Sequence, residues 1–315
     1  MTKDGRAALL RALVADELAI PVDPRVSAMA AAIAARYGPA SRAVLFYGSC
    51  LREARLEGLM LDFYLIVSDY RDAFGPGWLA FANRLLPPNV FPFEHGGLVA
   101  KYAVLSESDF TRLASSATRN VSVWARFAQP SRLAWAASEV TRRHVATAVT
   151  EAAPALIRAA RPLLDDTLSI AELWSKAFEL TYGAELRAER KVRAVSVFDA
   201  DPERYRMFTP AVLAAAGLDA RIERGGILRF ADEVPHAEKR AARRLWARRR
   251  REGKLLTLAR LAKATTTYAG GIDYLAWKIN RHAGAAIAIR PWQRRWPILG
   301  ALSLLPRLLL RGAVR

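Results

Sequence analysis

The hydrophobic pattern of the first 110 residues predicts helices followed by strands. Residues 1–40 carry apolar residues at helical spacing, and the stretch SAMAAAIAARYG ends at Gly38, a residue type that often terminates helices. Three largely apolar runs with the lengths of strands then follow: AVLFY, LMLDFYLIV and LVAKYAVL. The second run is apolar at nearly every position, so we expect a strand that is buried on both faces.

The later part of the chain is predicted to be mainly helical. Helical spacing continues over residues 110–165, with Pro130 as one interruption, and a second helical unit begins at residue 168. From Glu238 onward the chain is basic and helical, and its last part is rich in Trp and Leu. We therefore predict an α+β chain in three parts: 1–165, 166–235 and 236–315.

The composition favours an anionic partner. Lys and Arg number 48 against 30 Asp and Glu, which gives a formal net charge of +18. Such a surplus attracts nucleic acid, anionic lipid or polyphosphate, and charge alone does not choose among them. The chain is 52% hydrophobic, which excludes a disordered protein. No stretch reaches the roughly 20 apolar residues of a membrane span, and acidic residues near the N-terminus argue against a signal or transit peptide.

The single cysteine excludes an intrachain disulfide, which fits a reducing compartment. Cys50 is either a nucleophile or a packing residue, and the sequence supplies no obvious base for it. The four histidines show no metal-ligand spacing.

Two neighbouring segments carry candidate chemistry: the corner Tyr47-Gly48-Ser49 after the first apolar run, and Asp62 inside the second. A glycine after a strand lets backbone N–H groups approach a phosphate, and a serine hydroxyl adds a donor. A carboxylate on the adjacent strand is a ligand that Mg²⁺ prefers, and it is costly to bury without a partner or a metal. This is the pattern of the polymerase-β-like nucleotidyltransferase fold, although that fold usually has a second acid where this chain has Tyr64.

The wider stretch YGSCLREARLEGLMLDFYLIVSDY is similar to the signature of the mitochondrial-type phosphatidate cytidylyltransferases, the translocator assembly and maintenance family. That family has Tyr-Gly-Ser, then Met-x-Asp-Phe with a single acid, then a VDDP-like element. Asp62 matches the single acid, and Asp69 falls in the third element. Further segments resemble the family in the correct order over roughly residues 44–281: GGLVAKYAVLSESDF, WARFAQP, ELTYGAELRAE and KATTTYAGGIDYLAWKINR. The family's Trp-His after the VDDP-like element is replaced here by YRDAF.

The resemblance implies a fold and a reaction. It implies a polymerase-β-like nucleotidyltransferase domain over 1–165, a winged-helix-like helical domain over 166–235, and a basic helical segment with a membrane-binding tail over 236–315. In the implied reaction, CTP and phosphatidic acid give CDP-diacylglycerol and pyrophosphate with Mg²⁺. The phosphate of the lipid is then the nucleophile, so no nucleophilic side chain is required.

The resemblance also implies site residues. Asp62 is expected to be the catalytic metal ligand, with Asp69 as a second ligand, and Lys101 with Tyr102 matches the family's Lys-Tyr pair. Nucleotide or lipid contacts are expected from Tyr47, Gly48, Ser49, Lys101, Tyr102, Lys191 and Arg193. The alternatives are an exposed strand-end lysine for Lys101 and a solvated basic face for residues 187–193.

Two basic segments are expected to bring the chain to its lipid substrate. KRAARRLWARRRREGK presents a dense positive face, and RPWQRRWPILGALSLLPRLLLRGAVR has the composition of an interfacial helix, unless it is a packed helix with a solvated arginine face. We expect a peripheral protein on the cytoplasmic face of the inner membrane. Its partners would be CTP, phosphatidic acid and the anionic surface, with no nucleic acid. The alanine- and arginine-rich composition, with no presequence, suggests a bacterial member.

Two other functions remain open. A nucleotidyltransferase with RNA, a small molecule or a protein as its acceptor would use the Gly-Ser corner and Asp62 equally well. A non-enzymatic nucleic-acid-binding protein would explain the charge of +18 and the arginine run. That last hypothesis has no use for an acid inside an apolar strand.

Overall fold

The computed structural model describes residues 3–52, 56–184, 197–267 and 289–295 of the chain. Helices and strands alternate along most of these ranges, and a five-stranded mixed sheet lies at the centre. The prediction of an α+β chain is therefore confirmed.

The elements have the following bounds. The helices are α1 (Lys3–Ala19), α2 (Pro24–Ala35), α3 (Tyr70–Phe74), α4 (Trp78–Leu85), α5 (Glu107–Leu113), α6 (Trp124–Phe127), α7 (Glu139–Thr150), α8 (Ala152–Ala160), α9 (Ile170–Gly183), α10 (Pro202–Ala215), α11 (His236–Thr267) and α12 (Pro291–Arg295). The strands are β1 (Ser41–Tyr47), β2 (Met60–Val67), β3 (Asn89–His95), β4 (Leu98–Ser106), β5 (Ser131–Ala136), β6 (Thr167–Ser169), β7 (Ala220–Ile222) and β8 (Ile227–Phe230).

The strand order of the large sheet places β2 in its middle. The order is β3-β4-β2-β1-β5, with β2 and β4 parallel and the other pairs antiparallel. Because side chains alternate between the two faces of a strand, Tyr64 and Ile66 enter one hydrophobic core, and Phe63 and Leu65 enter another. The prediction that this strand is buried on both faces is confirmed.

Helices cover both faces of this sheet. Met29 and Ile33 of α2 pack in the core that contains Phe63, and Leu10 and Val14 of α1 pack in the core that contains Tyr64. Polar caps fix several helix starts, since the first backbone N–H groups of a helix lack internal partners. Ser106 accepts a hydrogen bond from the Asp109 N–H at 3.2 Å and begins α5.

Two strands of the sheet were not predicted from the sequence. Residues 110–165 were expected to be helical, but Ser131–Ala136 form β5, directly after Pro130. This strand is at the sheet edge and pairs only with β1, so it lacks the continuous apolar run of an interior strand. β3 is the other edge strand, and it contains Pro92, which an edge position tolerates.

Residues 166–235 contain two longer helices and a small antiparallel sheet of order β6-β8-β7. Helix α9 begins with a capping box in which Ser169 and Glu172 bond each other's backbone N–H groups. The core that holds Leu10 and Tyr64 also holds Trp174 of α9, Tyr205 of α10 and Trp246 of α11. A winged-helix identity for this part and the boundaries at residues 165 and 235 stay predictions.

Helix α11 has 32 residues and confirms that the basic stretch after Glu238 is helical. Within the described residues, no single helix is both long and apolar enough to cross a bilayer. Ala8–Ala19 and Pro24–Ala35 reach that threshold only as a pair, and the pair is bent by 98°.

Candidate functional site

Three neighbouring strands place Tyr47, Asp62 and Lys101 in one row. Tyr47 of β1 is the register partner of Asp62 on β2, and Asp62 is the register partner of Lys101 on β4. Residues paired across a sheet project from the same face. The corner that ends β1 therefore lies directly beside the acid, as the sequence pattern suggested.

The glycine of this corner is required by its surroundings. Gly48 has a φ of +96°, in the region that side chains other than glycine rarely adopt. A Cβ atom at this position would lie 3.4 Å from Oδ2 of Asp62. The backbone of the corner thus lies close to the carboxylate, and the positive φ is the reason that glycine is needed there.

Asp62 is compensated by a cation. Its Oδ1 lies 3.0 Å from Nζ of Lys101, and the side chains of Asp62 and Lys101 are 22% and 34% exposed. A carboxylate at this level of burial needs a partner, and the lysine supplies it from the adjacent strand. Lys101 is therefore not an exposed strand-end lysine, which was the alternative interpretation.

An aromatic cluster lies beside this row. The ring of Tyr47 packs 5.2 Å from that of Tyr64 and 6.0 Å from that of Phe127, measured between ring centroids. Ser131 of β5 is the register partner of Tyr47 on the other side. Its buried Oγ has no hydrogen-bond partner in the part of the chain that the structure describes. Sequence reasoning missed Ser131 because it did not predict β5.

The residues after Gly48 differ in exposure. Ser49 is exposed and begins a short 3-10 turn, Ser49–Arg52, so its hydroxyl faces solvent next to the corner. Cys50 is buried, and its Sγ lies 3.5 Å from the carbonyl oxygen of Met60. It packs in the core that contains Phe63, on the sheet face opposite Tyr64. This supports the packing interpretation of the cysteine.

Tyr102 does not join the row. It follows Lys101 directly in β4, so its side chain projects from the opposite face. Its ring is fully buried, and its hydroxyl lies 3.0 Å from that of Tyr37. Burial raises the pKa of Tyr102. We therefore remove Tyr102 from the predicted nucleotide contacts, because its side chain belongs to the core.

The structure does not bring Asp69 to Asp62 either. Asp62 is the third residue of β2, whereas Asp69 lies beyond the end of that strand and caps α3 by accepting a hydrogen bond from the Arg71 N–H at 2.8 Å. Seven residues at strand rise span roughly 23 Å. Asp69 also lies 3.4 Å from a guanidinium nitrogen of Arg84. A metal ion shared by the two carboxylates does not fit this geometry.

The remaining predicted contacts, Lys191 and Arg193, lie outside the described residues, as does the rest of the segment 187–193. Among the residues described, no group of three or more His, Cys, Asp or Glu side chains is placed to hold a metal ion. Asp62 is thus the single predicted metal ligand that remains in the row.

Comparison with known proteins adds no further constraint. No protein-family model matches this chain, and no curated protein matches it.

Proposed function

We propose that the chain is a cytidylyltransferase that makes CDP-diacylglycerol and pyrophosphate from CTP and phosphatidic acid. The observation that carries this proposal is the contact between the Gly48 corner and Asp62, with Lys101 on the other side of the carboxylate. It combines a backbone corner suited to phosphate, a half-buried acid and a cation. The motif order described above supplies the choice of CTP and phosphatidate.

The described residues fit Mg²⁺ as a cofactor that is shared with the substrate. Mg²⁺ in such enzymes is commonly bound by one or two carboxylates together with substrate phosphates and water. Asp62 would be the protein ligand. When bound, Mg²⁺ supplies charge neutralisation on the triphosphate.

Groups of the protein itself then position the triphosphate of CTP and neutralise its charge. The corner at Gly48 and Ser49 offers backbone N–H groups and a hydroxyl to the triphosphate, and Lys101 offers a positive charge beside it. A phosphate oxygen of the lipid attacks the α-phosphorus of CTP. The bond between the α- and β-phosphates breaks, and pyrophosphate leaves. Catalysis rests on positioning and on charge stabilisation, with no covalent enzyme intermediate.

The exposed arginines of α11 support the proposal that the protein acts at a membrane surface. Arginines on this helix are exposed to solvent at positions 243, 244, 248, 250 and 251. Each basic residue near an anionic bilayer contributes on the order of 1 kcal/mol of attraction. We place the protein as a peripheral protein on the cytoplasmic face of the inner membrane. The tail from residue 296 lies outside the described residues.

The decisive assay uses radiolabelled CTP, Mg²⁺ and phosphatidate vesicles, with the appearance of labelled lipid as the readout. We expect Asp62→Asn to fold normally and to lose activity by about a hundredfold or more, because it removes the ligand charge. Asp69→Asn is the matched control. It should keep activity within a few-fold of wild type, since Asn is also a good N-cap.

Two results would contradict the proposal. One is equal loss of activity in the Asp62 and Asp69 variants while circular dichroism shows both to be folded. The other is label that enters RNA or a protein and not the lipid, which would favour a nucleotidyltransferase with another acceptor.

A further inference from the structure

One stripe of α11 faces the protein although the helix is rich in arginine. The stripe begins with buried Ala242 and Trp246 and continues at spacings of three and four residues through Arg249, Gly253, Leu256, Arg260 and Lys263, all of which are buried or half-buried. This spacing keeps residues on one face of a helix. Arg249 therefore occupies a core-facing position, unlike its neighbours Arg248 and Arg250.

Arg249 is buried without the partners that a buried cation needs. It is 9% exposed, and its Cζ lies 4.6 Å from the ring centroid of Trp246 and 5.7 Å from that of Trp124. Its Nε and NH1 atoms have no hydrogen-bond partner within the described residues, and the indole Nε1 of Trp124 also lacks one there. Burial lowers the pKa of Arg249. Stacking on rings compensates a charge in part, but it leaves these N–H donors unused.

Arg249 lines a small pocket of about 20 Å³ between α11 and the segment 119–122. Arg119 and Arg260 also line it, together with one acid, Glu252. Glu252 is engaged by Arg248 at 2.5 Å and lies 3.6 Å from Arg119. The lining of the pocket thus contains three arginines and one acid.

Arg260 is held in place by the surrounding backbone. Its Nε donates to the carbonyl oxygen of Pro87 at 2.9 Å, and its NH1 donates to Oγ of Ser122 at 3.2 Å. A guanidinium fixed in this way presents its charge to the pocket with little loss of conformational entropy on binding.

We propose that this pocket binds a phosphate group. Arginine forks match phosphate oxygens with paired charge-assisted hydrogen bonds, and two nitrogens of Arg249 have no acceptor among the described residues. None of the residues in the row around Asp62 lines the pocket, so this proposal does not depend on nucleotidyl transfer.

The phosphate could belong to a soluble anion or to a lipid headgroup, and two probes separate these sources. The first is inorganic pyrophosphate. The second is a short-chain phosphatidic acid below its critical micelle concentration. Each is titrated against the full-length protein by isothermal calorimetry without CTP or Mg²⁺, at constant ionic strength set with chloride. Because both probes are also expected at the row around Asp62, the titrations are repeated with Lys101→Met, which removes the cation of that row.

The informative variant is Arg249→Met, which keeps an unbranched stem between the two tryptophans and removes the charge and its donors. The matched control is Arg244→Met, which removes one exposed charge from the same helix. We expect Arg249→Met to weaken binding of at least one probe by about tenfold or more, and Arg244→Met to change it less than about threefold.

Thermal unfolding without any probe gives a second readout. Because an unpartnered buried charge is destabilising, we expect Arg249→Met to have a Tm equal to or above that of wild type. The proposal is overturned if neither probe binds saturably, or if the two variants weaken binding equally. It is also overturned if Arg249→Met lowers the Tm while leaving the affinity for both probes unchanged, since Arg249 would then have a structural role.

Discussion

Asp62 and Arg249 are two charged side chains in mainly apolar surroundings, and the fold compensates them differently. Asp62 has a cation at 3.0 Å and the backbone of a glycine corner beside it. Arg249 has the faces of Trp124 and Trp246 but no hydrogen-bond acceptor for two of its nitrogens among the described residues. At the scale of single residues, Asp62 has its countercharge within the fold, and Arg249 is the residue for which we propose an external anion.

Gly48 is important because it has no side chain. We expect Gly48→Ala to lower the free energy of unfolding by about 1–2 kcal/mol, because alanine is strained at positive φ. It should also reduce cytidylyl transfer, because the new Cβ atom occupies the space beside the Asp62 carboxylate. Urea unfolding and the labelled-lipid assay measure the two effects.

Gly58→Ala is the control that separates backbone strain at positive φ from contact of a new Cβ atom with Asp62. Gly58 has a φ of +74°, and a Cβ atom there would meet no atom within 4 Å. We expect Gly58→Ala to lower the free energy of unfolding about as much as Gly48→Ala does, and to keep near-normal activity. Equal activity in both alanine variants would show that the approach of Gly48 to Asp62 has no role in the reaction.

The sequence pattern singled out Gly48 and Asp62 but not Arg249, and both outcomes have a physical reason. Gly48 and Asp62 were predicted because a turn residue and an acid interrupt apolar runs. Arg249 was missed because it stands in a run of arginines that predicts a positive face toward anionic lipid. Its distance of three residues from Trp246 was the available signal. Asp69 was misplaced as a ligand because sequence proximity hides the length of a strand.

At the scale of elements, α11 adds polar contacts with backbone carbonyls to the packing of Trp246 in the core. Gly253 allows a very close approach, because a Cβ atom there would overlap the carbonyl oxygen of Ala184 at the end of α9. Further along, Lys263 donates to the carbonyl oxygens of Leu86 and Pro88. The helix thus contacts backbone carbonyls that precede β3.

This arrangement predicts a pH dependence of stability. Burial, together with the charge of Arg260, lowers the pKa of Lys263 to about 7 from its model-compound value of 10.5. Between these values the unfolded chain binds more protons than the folded one, so stability rises with pH from about 7 to 10, by at most about 1.4 kcal/mol per pH unit. The neutral amine still has two N–H groups for the two carbonyls.

We expect Lys263→Met to flatten the dependence of the urea midpoint on pH over that interval. Lys254→Met, at an exposed position of the same helix, should retain it. A midpoint that falls as pH rises in the wild type, or a slope that survives in Lys263→Met, would contradict this account.

The elements that the sequence predicted correctly are those with strong periodicity. β2 is an uninterrupted apolar run at the centre of the sheet, and α11 has a long run of helix-favouring residues. β3 and β5 were not predicted because edge strands pair on one side and are only half-buried, which leaves a weak pattern. Their pairing partners lie far away in sequence, and single-sequence periodicity does not report them.

At the scale of the whole molecule, a buried ion pair connects the N-terminal helix to α10. The guanidinium of Arg204 bonds both carboxylate oxygens of Glu17 and the carbonyl oxygen of Ala128, and it lies 4.5 Å from the ring centroid of Phe208. Glu17 and Arg204 come from the two sides of the predicted boundary at residue 165. Their pairing, inside one continuous core, favours joint unfolding of these regions.

We therefore expect Arg204→Met to lower the free energy of unfolding by about 3–5 kcal/mol, because it leaves Glu17 buried without its partner. Adding Glu17→Leu should recover much of that loss. Arg206→Met, which removes an exposed partner of Glu203, should change stability by less than about 1 kcal/mol.

Urea unfolding followed by both circular dichroism and tryptophan fluorescence tests this prediction. A single coincident transition is expected for every variant. Two separate transitions, with only one of them shifted by Arg204→Met, would show that the regions unfold independently.

The buried thiol of Cys50 can report local opening of the corner at Gly48 in the native protein. Cys50 lies two residues after Gly48, and the sequence has no other cysteine. A thiol-reactive dye modifies a buried cysteine only through transient local opening. The labelling rate therefore reports the opening of this corner without any engineered probe. Nucleotides that hold the corner closed will slow the labelling, so ligands can be screened with a fluorescent dye alone, before any lipid product is measured.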